Sequence, residues 1–289
     1  MYLTWLNDIV SIMKYMPEAI IVGILLCVSA SIIGVILVLK RYSMIGDGLS
    51  HVGFGAFSLA LAFNTILEMH DKGFKKEGWE LLIALPIVIV AAYVLLRIGE
   101  NKKIKGDSAI ALIASSSLAV GYLEISVSGG TSADISKYMF GSITTVTRTD
   151  LYIVIALTVV VVGLFICFQN HIFAVTFDES FAKAVGINTK LYNSILSILT
   201  AILIVFGMRI MGTLLISSII IFPALTSMRL FNNFKKVVWF AAAISVVCFI
   251  IAFFGFYQYS SAASIVIVNL IAFLIASVIN KISRKYKTN

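Results

Sequence analysis

The sequence predicts an all-α protein, a polytopic transmembrane helical bundle of about eight to nine spans. Of its 289 residues, 60% are hydrophobic and only 12% are charged, and the mean hydropathy is +1.04. Soluble domains carry about a quarter charged residues. Since each helical span of a bilayer core takes about 20 apolar residues, this length accommodates such a bundle and leaves no room for a soluble catalytic domain.

Nine apolar stretches, separated by charged or glycine-rich joints, are the predicted spans. In chain order they cover residues 19–39, 47–67, 80–97, 108–126, 150–168, 191–208, 211–230, 237–257 and 262–280. The first is longer than a signal-peptide core and is followed by Lys40 and Arg41, which favours a span that is retained. The nine stretches predict a single transmembrane domain over residues 1–289.

Some of these stretches favour a broken or kinked helix. Residues 47–67 are rich in glycine, and the stretches 191–208 and 211–230 almost touch, so each is a candidate for a broken or re-entrant helix. Pro86 and Pro223 lie inside predicted spans. Proline is tolerated there when neighbouring groups satisfy the freed carbonyls, and it usually marks a kink.

The distribution of charge predicts how the chain is oriented. The net charge is +8, from 22 lysines and arginines against 14 acidic residues. If residues 169–190 are cytoplasmic, fifteen of the 22 basic residues fall on the inner side and seven on the outer side. This satisfies the positive-inside rule, so we predict a multi-pass protein of the cell membrane with a cytoplasmic C-terminus. The basic excess is topological and predicts no nucleic-acid partner.

An aspartate and a histidine stand at the head of the second apolar stretch, where ionisable residues are costly and call for an explanation. If this segment is helical, Asp47 and His51 lie at i and i+4 on one face, with Cβ atoms about 5–6 Å apart. A carboxylate and an imidazole suit zinc, manganese or ferrous iron. Because zinc usually takes four ligands, two ligands make an incomplete site from which an ion can be released.

Other roles fit the same residues. Asp47 is a possible cap of the helix N-terminus, accepting a hydrogen bond from the amide of Ser50, with His51 simply buried or interfacial. The glycines between residues 46 and 55 allow close helix packing. The topology also places Asp47 shallow on the cytoplasmic side, unless residues 42–50 form a re-entrant start.

A polar segment between two predicted spans is the second informative stretch. Asp178, Ala182 and Gly186 recur every four residues and therefore share one stripe of a helix. Asp178 is a typical N-cap and Gly186 a typical C-terminal stop, which predicts a two-turn helix at the cytoplasmic surface. Small residues would let it seat in the groove of a partner, although an ordinary surface helix between two spans fits the pattern equally well.

At these two stretches the chain resembles the zinc/manganese/iron family of ABC-type permeases. The pattern RxxxxGDxLSH and a following glycine are matched by Arg41, Gly46, Asp47, Leu49, Ser50, His51 and Gly55. Residues 178–186 resemble the family's coupling segment DxxxAxxxG, residues 212–224 its GxLLxxxxxxxPA span, and residues 134–142 its DLxxYLFGS stretch. The chain departs from the family at Gly48, where alanine is common. It also has Gly53-Phe54-Gly55 in place of a more common aliphatic-proline-glycine run, so that only the final glycine of that run is kept.

The resemblance implies the partners and the roles of the site residues. It implies a permease homodimer in the lipid bilayer around one pathway, a dimer of cytosolic ABC ATPases beneath it, and an extracytoplasmic metal-binding lipoprotein or periplasmic protein that delivers the ion. Asp47 and His51 would line the pathway, and Asp178, Ala182 and Gly186 would belong to an ATPase-coupling helix over residues 178–188.

The resemblance also predicts a transporter subunit and not an enzyme. The chain has no Gly-Lys dipeptide and hence no phosphate-binding P-loop, so ATP hydrolysis is expected in a separate partner. The divalent metal is cargo, and no permanently bound cofactor is expected. The run GDGLSHVGFGA favours zinc, with manganese or iron(II) as the alternative.

Two other classes of protein fit less well. An ion-coupled secondary transporter uses intramembrane carboxylates, but apart from Asp47 the span interiors hold few acids. An intramembrane metalloprotease would need a motif such as HExxH, which the sequence lacks. Glu68, His70 and Asp71 form a possible outer metal-gathering loop, for which a solvated loop is the favoured interpretation.

Overall fold

Ten α-helices and no strands make up the part of the chain that the computed structural model describes, which is residues 17–42, 44–70, 79–98, 106–127, 141, 146–256 and 261–288. The helices are α1 (Pro17–Leu39), α2 (Ile45–His70), α3 (Trp79–Ile98), α4 (Gly106–Val127), α5 (Arg148–Phe177), α6 (Glu179–Ala184), α7 (Thr189–Met211), α8 (Thr213–Leu230), α9 (Phe234–Gly255) and α10 (Ser261–Thr288). The all-α prediction is confirmed.

Seven of these helices are long and apolar enough to cross a membrane within the described ranges: α1, α4, α5, α7, α8, α9 and α10. The other two predicted spans are helical as well. They are the glycine-rich α2 and the helix α3, whose apolar stretch Leu81–Leu95 is shorter. The helices α7 and α8 are separated by one residue, Gly212, at φ +88°. The chain is therefore a multi-pass membrane protein.

Helix α5 is longer than predicted. It runs on from the expected end at residue 168 to Phe177, with a kink at Phe168, whose φ of −117° and ψ of 19° are not helical. The polar residues after the kink suggested a loop, but polarity alone does not end a helix.

At the start of α5, Asp150 and Thr147 form a capping box. The Asp150 Oδ2 atom accepts a hydrogen bond from the Thr147 amide at 3.0 Å, and the Thr147 Oγ1 atom accepts one from the Asp150 amide at 3.2 Å.

The chain divides into two compact units made of interleaved segments. The first, unit 1, comprises residues 1–38, 142–169 and 218–289. Helix α1 is its most buried span. The Ser29 hydroxyl on α1 donates a hydrogen bond to the Thr158 hydroxyl on α5 at 2.9 Å. At Gly34 a Cβ atom would lie 2.0 Å from the Ile220 carbonyl oxygen on α8, so only glycine allows this approach.

The second, unit 2, comprises residues 39–141 and 170–217. Helix α2 packs on α3, α4 and α7 within it. Glycine again permits the contact, since a Cβ atom at Gly55 would lie 2.5 Å from the Ser117 carbonyl oxygen on α4. The predicted role of the α2 glycines in close packing is therefore confirmed for Gly55. The prediction of one permease domain across the whole chain stays a prediction.

Candidate metal site

Asp47 and His51 lie together on the first two turns of α2. The Asp47 Oδ1 and His51 Nε2 atoms are 3.7 Å apart, and the side chains are 46% and 23% exposed, respectively. That distance is too long for a hydrogen bond, so the Asp47 carboxylate and the His51 imidazole do not bind each other. The structure thus places the two predicted side chains next to each other, with the Asp47 Oδ1 and His51 Nε2 atoms not hydrogen-bonded to one another.

The distance between the two atoms suits a shared cation. Two ligand atoms each about 2.1 Å from one zinc ion, at a tetrahedral angle, would be about 3.4 Å apart. The separation of 3.7 Å is close to that value and needs only a small side-chain rotation. An oxygen and a nitrogen atom on one helix face could thus supply two of the four ligands that a zinc ion usually takes.

The alternative role of Asp47 as the helix N-cap is wrong. Helix α2 begins at Ile45, so Asp47 lies inside its first turn. The hydrogen bond observed between Asp47 and Ser50 is also not the one expected. The Ser50 hydroxyl, and not the Ser50 amide, is the donor, and the acceptor is the Asp47 backbone carbonyl at 2.7 Å and not the carboxylate. The Asp47 carboxylate is consequently free of a capping role.

No cluster of three or more His, Cys, Asp or Glu side chains suited to a metal occurs among the described residues. The predicted outer metal-gathering loop lies outside the described part, since Asp71 and the side chains of Glu68 and His70 are not described. The stretch 134–142 also lies outside it, except for Gly141.

The polar segment after α5 folds as the short helix α6, and its ends are those predicted. The Asp178 Oδ1 atom accepts a hydrogen bond from the Phe181 amide at 2.9 Å, which makes Asp178 the N-cap. Gly186 has a φ of +87°, the left-handed conformation that ends a helix. Asp178 and Gly186 are thereby accounted for by local structure.

Ala182 requires a correction to the expected role of the small-residue stripe. The Ala182 side chain is completely buried within the protein. It therefore packs α6 against the rest of the protein and presents no surface to a partner. The exposed apolar side chains of the segment are Phe181, 60% exposed, and Val185, 62% exposed. Sequence reasoning missed these two residues, although their i, i+4 spacing in a polar segment was visible.

An ion pair links two side chains one turn apart on α6. The Lys183 Nζ and Glu179 Oε1 atoms are 2.8 Å apart. Burial alone would raise the pKa of Glu179, but the hydrogen bond and charge of Lys183, the Thr189 hydroxyl and the charge of Lys40 outweigh it and lower the pKa below its ordinary value of 4.5. Glu179 is therefore held in its ionised form.

Comparisons with known proteins agree with this architecture over almost the whole chain. A model of the ABC 3 transport family matches residues 12–280. The manganese import system permease protein ScaB of Streptococcus gordonii is 28% identical over 91% of this chain and 90% of its own length. The high-affinity zinc uptake system membrane protein ZnuB of Haemophilus influenzae is 26% identical over 89% of this chain and 95% of its own length.

A solved structure is similar as well. The structure of PsaBC from Streptococcus pneumoniae in complex with Fab superimposes with a TM-score of 0.77 at 26% sequence identity. The match covers 94% of this chain and 95% of that chain. The sequence comparisons and the structural comparison thus agree, and each extends over about nine tenths of the chain.

Proposed function

Because the chain belongs to the ABC 3 transport family, we propose that it is the membrane permease subunit of an ATP-binding-cassette importer for divalent transition metal ions. Zinc is the first candidate for the cargo, and manganese or iron(II) is the alternative. The relatives named above include both a manganese and a zinc system, which supports the class of cargo without choosing between the two.

The observation that carries the proposal is the Asp47–His51 pair. Its Oδ1 and Nε2 atoms are spaced for one cation, and both side chains are partly exposed. A carboxylate and an imidazole are hard-to-borderline ligands that suit first-row divalent ions. With only two protein ligands, water completes the coordination sphere, so an ion exchanges readily, as transport requires.

The energy for transport comes from partner chains in this proposal. Two cytosolic ATPases close on each other when they bind ATP, and α6 passes the movement to the membrane helices of a permease homodimer. The exposed side chains of Phe181 and Val185 support this role for α6, because apolar surface in a polar segment is typical of a protein contact. An extracytoplasmic binding protein delivers the metal, and the C-terminus is cytoplasmic.

Metal uptake into liposomes tests the proposal. The permease is reconstituted with its ATPase and binding protein, and ATP-dependent uptake of zinc and of manganese is compared for wild type, Asp47→Ala and His51→Ala. We expect each substitution to reduce uptake of the transported metal at least a hundredfold, since either one leaves a single protein ligand.

A histidine elsewhere in the same unit provides the control. His171, on α5, stacks on Tyr192 with the ring centroids 5.8 Å apart and lies far along the chain from α2. The His171→Ala variant is expected to keep wild-type uptake. Normal uptake by Asp47→Ala and His51→Ala in assembled complexes would refute the assignment of the pathway.

A further inference from the structure

A polar cavity of about 310 Å³ lies in unit 2 where four segments meet. Lys40, Arg41 and Tyr42 come from the turn after α1, and Thr176 comes from the last turn of α5. The remaining polar lining residues are Glu179, at the start of α6, and Asn193, on α7. None of them takes part in the candidate metal site.

The charges that line this cavity select an anion. Among the described residues that line it, Lys40 and Arg41 are the cations and Glu179 is the acid. The Glu179 carboxylate is paired with Lys183 at 2.8 Å, and the charge of Lys40 also acts on it. Lys40 is held in place by a hydrogen bond from its ammonium group to the side-chain carbonyl of Asn193. Arg41 forms no ion pair with any residue that the structure describes, so its charge is available to a ligand.

The backbone of Arg41, at the edge of the cavity, has an unfavourable conformation. Its φ is +65°, and no other residue outside glycine has a positive φ in the described ranges. This left-handed conformation is unfavourable for a side chain with a Cβ atom. The turn is stabilised on its far side, where the Ile45 amide donates to the Tyr42 carbonyl at 3.1 Å. A glycine would relieve the strain at position 41, but it would remove the guanidinium group.

The position of the cavity identifies the source of the anion. Lys40 and Arg41 directly follow α1, an apolar span of 23 residues, and the cavity rim includes the apolar residues Leu39 and Phe177. Basic residues at the end of a membrane span lie at the level of the phospholipid headgroups, where they attract anionic lipids. Arginine and lysine are also the usual partners of phosphate oxygens.

We propose that this cavity binds the phosphate group of an anionic phospholipid, with Arg41 as the main contact and Lys40 as the supporting cation. The site shares no residue with the Asp47–His51 pair. Its wall includes the first residue of α6, so a bound headgroup would steady the segment to which the proposed function assigns coupling. Lipid binding does not require that assignment to hold.

Native mass spectrometry of the full-length protein, titrated with phosphatidylglycerol or phosphatidylcholine of matched acyl chains, tests the proposal. We expect wild type to bind phosphatidylglycerol at least tenfold more tightly than phosphatidylcholine. The double variant Lys40→Gln/Arg41→Gln is expected to lose that preference. The matched control is Lys235→Gln/Lys236→Gln, which removes two exposed charges at the start of another span and should leave the preference intact.

Three results would overturn the proposal. These are an equal loss of preference in both double variants, no preference in wild type, and complete displacement of the lipid by millimolar inorganic phosphate, which would make free phosphate the ligand. The Arg41→Gly variant separates binding from folding, because it relieves the strained backbone. It is expected to melt no lower than wild type and yet bind phosphatidylglycerol about tenfold more weakly, and wild-type binding by this variant would also overturn the proposal.

Discussion

Two helices of unit 2 each carry a pair of ionisable side chains at i and i+4, and the two pairs are in opposite states. On α6, Glu179 and Lys183 are 2.8 Å apart and satisfy each other. On α2, Asp47 and His51 are 3.7 Å apart and share no hydrogen bond. The same spacing in the sequence thus yields a closed ion pair in one helix and an open carboxylate–imidazole pair in the other.

The other motif residues sharpen this contrast. On α6, local structure accounts for all of them: Asp178 caps the helix, Ala182 packs inside, and Gly186 ends it. On α2, packing accounts for Gly55 but leaves the side chains of Asp47 and His51 without a structural task. Residues that remain after the structural roles have been assigned are the best candidates for transport chemistry.

Of the changes to α2 and α6, the largest effect on stability is expected where α2 packs on α4. In Gly55→Ala the new Cβ atom would lie 2.5 Å from the Ser117 carbonyl oxygen, which belongs to the backbone and cannot rotate away. Overpacking of this kind costs about 1–3 kcal/mol, so the melting temperature should fall clearly.

Gly163→Ala, on α5, is the matched control for this substitution. Among the described residues, nothing beyond its own stretch of the helix lies within 4 Å of the added Cβ. It should be neutral or slightly stabilising, since alanine is the better helix former. Equal melting temperatures for Gly55→Ala and wild type would show that the α2 glycines have a task other than packing.

Much of this architecture was predictable from the sequence, because long apolar stretches determine where the spans lie. The end of α5 was not, since Asp178 begins the next helix and the polar residues before it remain helical. The sequence also left open whether Asp47 caps α2. The answer depends on where α2 begins, and it begins at Ile45, after a turn in which Arg41 has a positive φ. The orientation of Ala182 was not predictable, because the sequence does not show which side of a two-turn helix faces the core.

A smaller effect is expected at the cap of α6. Asp178→Ala removes the acceptor for the Phe181 amide and should cost about 1 kcal/mol. Asp178→Ser keeps a capping oxygen and should retain both the wild-type melting temperature and ATP-driven metal uptake. If Asp178→Ser folds normally but loses uptake, Asp178 contacts a partner directly, and the account of α6 as locally explained is wrong.

The smallest effect concerns the ion pair of α6, and its sign follows from the lowered pKa of Glu179. Although burial opposes it, Lys183 together with Thr189 and Lys40 holds the folded pKa below the ordinary 4.5. The pair therefore stabilises the fold above that ordinary value, and the contribution is lost as the pH falls through the folded pKa. Because Lys183 is 57% exposed, the contribution should stay below about 1 kcal/mol.

Melting temperatures of wild type and Glu179→Gln, measured from about pH 7 down to about pH 3, test this sign. Wild type should melt slightly higher near neutrality, and the two curves should converge as the pH falls and Glu179 takes up its proton. Lys183→Gln should reproduce the neutral-pH loss, and the double variant should add little to it, because either change opens the same 2.8 Å contact. A difference that does not shrink as the pH falls below 4.5 would mean that packing of the Glu179 side chain, and not its charge, stabilises α6. The contrast with the open pair on α2 would then no longer be one of electrostatics.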